Sequence, residues 1–339
     1  MKRKVLLIYT GGTIGMMQDA AGVLCPVNFK KLQLAVPELN RLPVQLSHVS
    51  FATPIDSSNM NPEVWVKLVQ LIQKNYASYD GFVVLHGSDT MAYTASALSF
   101  MIANCNKPII LTGSQLPIGV IRTDGKENLI TAIEIAANYT ANNTAVVPEV
   151  CIYFEYTLLR GNRSIKYNAS HFDAFQSPNF PALATAGVHI EYNNLVINKT
   201  PKKVTQFYSQ LDSGVGVLHF FPGISKQIVL AILQSECKVI IMRTFGSGNA
   251  PNQKWLIDAL KAACANNKII INATQCIEGR VEQGKYETSS AFERMGIISA
   301  ADMTLESAIT KSMFLLANYP LAKFKAMFVT NRCGEVSEG

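Results

Sequence analysis

Four short runs of consecutive apolar residues constrain this chain most: Val5-Leu6-Leu7-Ile8-Tyr9, Phe82-Val83-Val84-Leu85, Pro108 to Leu111 and Val150 to Phe154. A strand with one wet face alternates polar and apolar residues. An unbroken run instead predicts a strand buried on both faces, as in a parallel sheet covered by helices. Helical signals separate the runs. Asn61-Pro62-Glu63 predicts a helix start, with Asn61 as cap and Pro62 in the first turn, and Val64, Trp65, Leu68, Leu71 and Ile72 follow at helical spacing. A helix of small residues through Met101 follows the second run, and Asp124 with Glu127 predicts a capping box for a helix to about Asn138. The alternation predicts a doubly wound α/β domain with its reactive loops at the C-terminal ends of the strands. Thr10–Gly15 and His86–Thr90 each directly follow such a run, so one shared site is expected.

The texture changes after Gly187. Val188, Ile190, Leu195 and Ile197 around Asn193-Asn194 predict a β-hairpin, and the polar stretch from Asn198 to Ser213 reads as a linker. Alternation then resumes, with strands expected at Gly216 to Phe221, Val239 to Met242 and Ile269 to Ile271, helices between them, and another helix from about Thr304 to Leu316. The expected architecture is α/β in two domains. The larger N-terminal domain, 1–197, has a mostly parallel sheet flanked by helices. A linker covers 198–213, and a smaller C-terminal α/β domain covers 214–339. A length of 339 residues agrees with two domains.

Composition narrows the partner classes. With 48% hydrophobic and 16% charged residues there is ample apolar surface for ordinary cores. The net charge of +6 is scattered, and its densest clusters, Lys2-Arg3-Lys4, Lys30-Lys31 and Lys202-Lys203, lack interleaved aromatics. No nucleic-acid partner is expected. The apolar run behind the basic N-terminus meets Gly11-Gly12 too early for a secretory core of roughly 7–15 residues. No stretch approaches the ~20 apolar residues of a membrane span. Seven widely spaced cysteines without a C-x-x-C pair point to reduced thiols and a cytoplasmic location. The five dispersed histidines show no metal-ligand spacing, so no zinc site is expected.

Four segments carry groups able to do chemistry, and each also has a plain structural reading. Thr10-Gly11-Gly12-Thr13-Ile14-Gly15 permits a tight turn; it lacks the Walker lysine and the G-x-G-x-x-G order, so it is a poor phosphate loop. Its Thr13 hydroxyl, held at a strand end, is a candidate nucleophile. In His86-Gly87-Ser88-Asp89-Thr90, Ser88 or Asp89 could cap the next helix, yet the same helix start offers N–H donors for an oxyanion, and Asp89 suits a substrate ammonium. Asp56-Ser57-Ser58 reads as a capped turn or as a cradle for a carboxylate. Arg160-Gly161-Asn162-Arg163-Ser164-Ile165-Lys166 reads as a solvated basic loop, or as the source of a lysine for a proton relay.

Together these segments resemble the bacterial type I, cytoplasmic asparaginases in order, spacing and local wording. Thr112-Gly113-Ser114-Gln115, Phe172-Asp173-Ala174-Phe175, Gly248-Asn249-Ala250-Pro251 and Thr274-Gln275-Cys276 extend the resemblance over nearly the whole chain. It implies a two-domain asparaginase-like fold and hydrolysis of L-asparagine to L-aspartate and ammonia. Thr13 would attack the amide and form a β-aspartyl ester. Ser88, Lys166 and Asp89 would relay protons and orient water. Asp89 would also hold the α-ammonium, while Ser57, with Asp56 and Ser58 beside it, would bind the α-carboxylate. A homodimer or homotetramer is implied, with Asn249 reaching a neighbour's site.

Three departures from the family pattern stand out. Ser88 occupies a position where many relatives have threonine, and so lacks the β-methyl that restrains χ1. Ala21-Gly22-Val23-Leu24-Cys25-Pro26 lacks the tyrosine that many relatives use to activate the nucleophile, which makes Tyr286 the matching candidate; a surface tyrosine is the plain alternative. Arg243 and Cys276 match parts of the second asparagine site of some type I enzymes, but apolar Ile165 replaces a hydroxyl residue there, which argues against activation by asparagine. The competing readings are a glutaminase-leaning amidohydrolase, since one methylene is worth only about 1–3 kcal/mol in a pocket, and an amino-acid-binding relative that has lost turnover. A tRNA-dependent amidotransferase subunit is disfavoured because no added module is visible, and a nucleotide-binding protein rests on the Gly-rich loop alone.

Overall fold

In a computed structural model, β1 (Arg3–Tyr9) lies between β2 (Val44–Ser50) and β3 (Gly81–Leu85) and runs parallel to both. The structure describes residues 2–18, 24–26, 29–284 and 287–337. β4 (Ile109–Thr112) and β5 (Val150–Phe154) continue the parallel sheet beyond β3. β6 (Thr157–Arg160), β7 (Ala184–Ala186) and β8 (Ile190–Tyr192) complete it in antiparallel pairs, giving the order β8-β7-β6-β5-β4-β3-β1-β2. The apolar runs have the expected consequence. Val5, Leu7, Val83 and Leu85 enter the core on one face, and Leu6, Ile8, Phe82 and Val84 are buried on the other.

Helices cover these faces. α1 (Pro62–Asn75) starts as predicted: the Asn61 side chain accepts a hydrogen bond from Val64 N at 3.0 Å, and Val64, Trp65, Leu68, Val69 and Ile72 are buried. In α2 (Met91–Met101) all but one residue is buried, which matches its small, apolar composition. α3 (Gly125–Ala136) forms without the expected capping box. The Asp124 carboxylate is taken by Gln115 N (2.9 Å) and Leu116 N (3.1 Å) of the loop after β4. Glu127 is taken by Thr131 and the Tyr153 hydroxyl. Tertiary donors won over the local ones. The predicted hairpin also differs, since β7 and β8 turn at Gly187–His189, with Gly187 N bonded to His189 O at 3.0 Å. Asn193 instead begins a turn after β8, accepting from Val196 N.

The chain divides into two units, Met1–Ser209 and Gln210–Gly339. Within the first, Gln206–Phe207 pairs antiparallel with Ile102–Ala103, and Thr205 Oγ1 donates to Asn104 O at 2.8 Å. The second unit has a four-stranded parallel sheet in sequence order: β9 (Val215–His219), β10 (Val239–Thr244), β11 (Ile269–Thr274) and β12 (Ile298–Ser299). α4 (Lys226–Gln234) and α5 (Lys254–Ala265) pack on it through Val229, Leu233, Leu256 and Leu260. α6 (Leu305–Asn318) is capped by Thr304, whose Oγ1 accepts from Ser307 N at 3.1 Å. It carries the fully buried Lys311, paired with equally buried Glu335 at 2.5 Å. Lys311 also donates to Phe328 O and Thr330 O, at the end of α7 (Leu321–Val329). Among the described residues no helix is long and apolar enough to cross a membrane.

Candidate active site

From β1 the chain crosses to β2 on one side and then to β3 on the other, so the strand order reverses at β1. Connections leaving in opposite directions open a crevice at the carboxyl ends of β1 and β3, where open α/β sheets bind their ligands. Thr10–Gly15 and His86–Thr90 flank that crevice, and the loop after β2 joins them. Thr10 N donates to Leu85 O (3.0 Å), and Ile55 N donates to Thr10 O (2.8 Å). Two glycines let the three loops approach closely. A Cβ on Gly12, whose φ is +87°, would lie 2.4 Å from Gly87 N, and one on Gly87 would lie 2.6 Å from Ser57 Oγ. Thr13 opens a 3-10 turn ending at Gly15, directly against this contact. Beneath the turn, the buried Tyr9 hydroxyl donates to Gly12 O (3.4 Å) and Gly15 O (3.3 Å), and burial pushes its pKa up to about 12.

Lys166 meets Ser88 and Asp89 of the loop after β3. Its Nζ is 2.8 Å from Ser88 Oγ and 2.5 Å from Asp89 Oδ1. Neither Ser88 nor Asp89 caps α2; the helix starts at Thr90 without a side-chain cap, and Thr90 Oγ1 donates to Ser57 O at 2.7 Å. Nor is the Arg160–Lys166 segment a solvated loop. Arg160 and Arg163 are buried, and Arg160 pairs with Glu149 at 2.6 Å. Ile165–Lys166 pairs with Phe175–Gln176, and Phe175 packs on Phe154 with ring centroids 5.0 Å apart. The Phe172-Asp173-Ala174-Phe175 motif therefore holds the strand that presents Lys166. Asp89 is 63% exposed, so an ion pair of this kind is worth only about 0–1 kcal/mol. Its importance is positional.

His86 supports the same loop from below. Thr94 Oγ1 accepts from Trp65 Nε1 at 2.9 Å and, because the Gly87 carbonyl beside Nδ1 can only accept, the Thr94 hydroxyl donates to His86 Nε2 at 2.9 Å. Nδ1 then carries the ring proton and donates to Gly87 O at 2.6 Å. Complete burial lowers the His86 pKa to about 4, so the ring is neutral. The Gly87 carbonyl is thus pinned inward, and the Ser88 N–H, anti to it in a trans peptide, faces the opposite side.

The other expected site residues divide. Asp56 caps the turn Ser57–Asn59, accepting from Ser58 N and Ser58 Oγ at 3.0 Å each, and these bonds hold its carboxyl below the usual range. Ser57 is buried between the Gly87 and Thr90 contacts. In the second unit Asn249 closes a tight turn, exchanging both backbone hydrogen bonds with Phe245 at 2.8 Å. Arg243 and Cys276 lie at the carboxyl end of that unit's sheet, where Arg243 donates to Gln275 O at 3.1 Å and Cys276 is exposed. Ile165 lies on the Lys166 ribbon. Tyr286 lies outside the described residues, as do 19–23 of the early segment. Among the described residues no cluster of three or more His, Cys, Asp or Glu side chains could hold a metal ion. The sequence carries no signal that places Gln115, Trp65 or Thr94 against site residues. Trp65 and Thr94 look like ordinary core positions there, and only the Thr112–Gln115 wording hinted at Gln115.

A threonine turn, a lysine joined to a hydroxyl and a carboxylate, and an inward-pinned loop carbonyl lie in loops near a strand-order reversal of an α/β sheet. Comparison with known proteins defines the class. The family description "Asparaginase, N-terminal" matches residues 4–198, and "Glutaminase/Asparaginase C-terminal domain" matches 214–328. L-asparaginase 1 of Escherichia coli K12 is 42% identical over 93% of this chain and 92% of its own. The L-asparaginase I structure from Vibrio cholerae covers all of both chains at TM-score 0.90 and 38% identity. The thermostable L-asparaginase from Thermococcus kodakarensis has TM-score 0.90 at 28% identity, over 99% of this chain and 100% of its own. The chain belongs to the asparaginase family.

Proposed function

We propose that this enzyme hydrolyses L-asparagine to L-aspartate and ammonia. The observation that carries the reading of its site is the contact of Lys166 with both Ser88 and Asp89. The Thr13 hydroxyl attacks the side-chain amide carbon, and its proton passes to the departing ammonia. The β-aspartyl ester is then cleaved by a water molecule, whose hydrogen returns to Thr13. Ser88, Lys166 and Asp89 move these protons and orient the water. Asp89, largely exposed, also receives the α-ammonium. Ser57 and nearby backbone N–H groups bind the α-carboxylate, with Asp56 and Ser58 shaping that turn. Tyr286 assists Thr13, and Asn249 reaches the site of a neighbouring subunit in a homodimer or homotetramer. No metal or organic cofactor takes part. Cys105, Cys151, Cys237, Cys264 and Cys276 form no disulfide, which supports a cytoplasmic location. L-Glutamine is the alternative substrate for the same chemistry.

The test is ammonia release from asparagine and glutamine by the wild type, Thr13→Ala and Lys166→Met. Thr13→Ala is expected to abolish turnover, and Lys166→Met to lower kcat by about 10²–10⁴-fold, the usual scale of acid–base assistance. A folded Thr13→Ala protein with wild-type turnover would remove the nucleophile assignment.

A further inference from the structure

The Ser88 hydroxyl has a second partner besides Lys166. Ser88 Oγ donates to Gln115 Oε1 at 3.2 Å. Which end of the Gln115 amide faces Ser88 is decided on its far side. There Nε2 donates to His171 O at 3.0 Å and to Ala169 O at 3.4 Å, and two carbonyl oxygens accept only from the NH₂ end. Oε1 therefore faces Ser88. It carries no hydrogen, so the donor order runs Lys166 to Ser88 to Gln115. Both ends of the arrangement are fixed. The Gln115 backbone is held by the Asp124 carboxylate (2.9 Å). The carbonyl-bearing turn is closed by Asn168 Oδ1, which accepts from Ser170 N (2.8 Å) and His171 N (3.0 Å).

This matters because residue 88 is serine. A β-branched residue is restrained at χ1 by its own methyl group, and serine has none. We propose that Gln115 is a positioning residue for Ser88: its anchored amide holds the Ser88 hydroxyl in the rotamer that accepts from Lys166, supplying from outside the restraint a threonine would carry itself. The proposal rests on the reading that Ser88 takes part in asparagine hydrolysis. A purely structural role for Gln115, pinning the 168–171 turn, makes a different prediction.

The experiment is a double-mutant cycle with Gln115→Met and Ser88→Thr, reading kcat and KM for asparagine by ammonia release, with Tm for each protein. Methionine keeps the length of the side chain and removes the amide; Gln115→Leu substitutes for it if the methionine variant does not fold. With Ser88 present, loss of the amide is expected to lower kcat about 3–10-fold, the scale of one neutral hydrogen bond, with KM within about twofold. With threonine at 88 the same change is expected to lower kcat by less than about twofold. Equal fold losses in the two backgrounds would overturn the proposal and leave only the turn-pinning role. A Ser88→Ala protein with wild-type kcat would overturn its premise, while absence of turnover in the wild type would overturn the proposed function instead.

Discussion

Acidification should destabilise the first unit through one residue, His86. Its ring is fully buried and both partners, Thr94 and the Gly87 carbonyl, are uncharged, so desolvation outweighs the support that the Gly87 hydrogen bond gives the proton. Burial lowers its pKa from 6.5 to about 4. In the unfolded chain the imidazole titrates normally near 6.5. Above that pH both states are neutral and His86 contributes no pH dependence. Between 6.5 and about 4 only the unfolded state binds the proton, so stability falls as pH falls; below about 4 both states are protonated and the loss stops growing. At roughly 1.4 kcal/mol per pH unit the whole effect is about 3 kcal/mol, of which about 2 kcal/mol is lost by pH 5. The assay is urea unfolding of the wild type and His86→Gln at pH 7.5 and pH 5, at one protomer concentration. Groups common to both proteins cancel, so the wild type should lose about 2 kcal/mol more than the variant. Equal losses would refute the buried neutral histidine. The variant should also lose activity at pH 7.5, since the Gly87 carbonyl is then held less well.

Two further outcomes follow from packing. Gly87→Ala should force the loop away from Ser57, because the new Cβ would lie 2.6 Å from Ser57 Oγ and 2.7 Å from its Cβ. Overpacking of this kind costs about 1–3 kcal/mol, and asparagine kcat/KM should fall at least about tenfold. Retained kinetics would show that the three-loop contact is dispensable. Lys311→Met should cost about 3–5 kcal/mol in chemical denaturation by stranding the buried Glu335 carboxylate, and Lys311→Met with Glu335→Gln should recover part of that loss.

The alternation of buried strands and helices was legible because a parallel sheet covered on both faces leaves unbroken apolar runs such as Val5–Tyr9 and Phe82–Leu85. The start of α1 was equally plain, since Asn61 and Pro62 act within their own turn. Local signals failed where a distant donor competed. Asp124 and Glu127 had the spacing of a capping box, yet loop amides and the Tyr153 hydroxyl claimed both carboxylates. The hairpin turn was displaced because Asn193-Asn194 looks like a turn and is one, after the strand rather than inside the hairpin.

The site shows the same division. The sequence by itself determined which groups are available, Thr13, Ser88, Asp89 and Lys166, because their types and order carry the family wording and their loops follow buried strands. It also determined that Ser88 lacks a β-methyl. Only the tertiary structure decided that Lys166 lies 2.8 Å from Ser88 although 78 residues separate them, that Gln115 faces Ser88 with its oxygen, and that His86 is neutral. Hydrogen-bond direction and desolvation depend on what surrounds a group in space, and chain spacing beyond a few residues does not encode that distance.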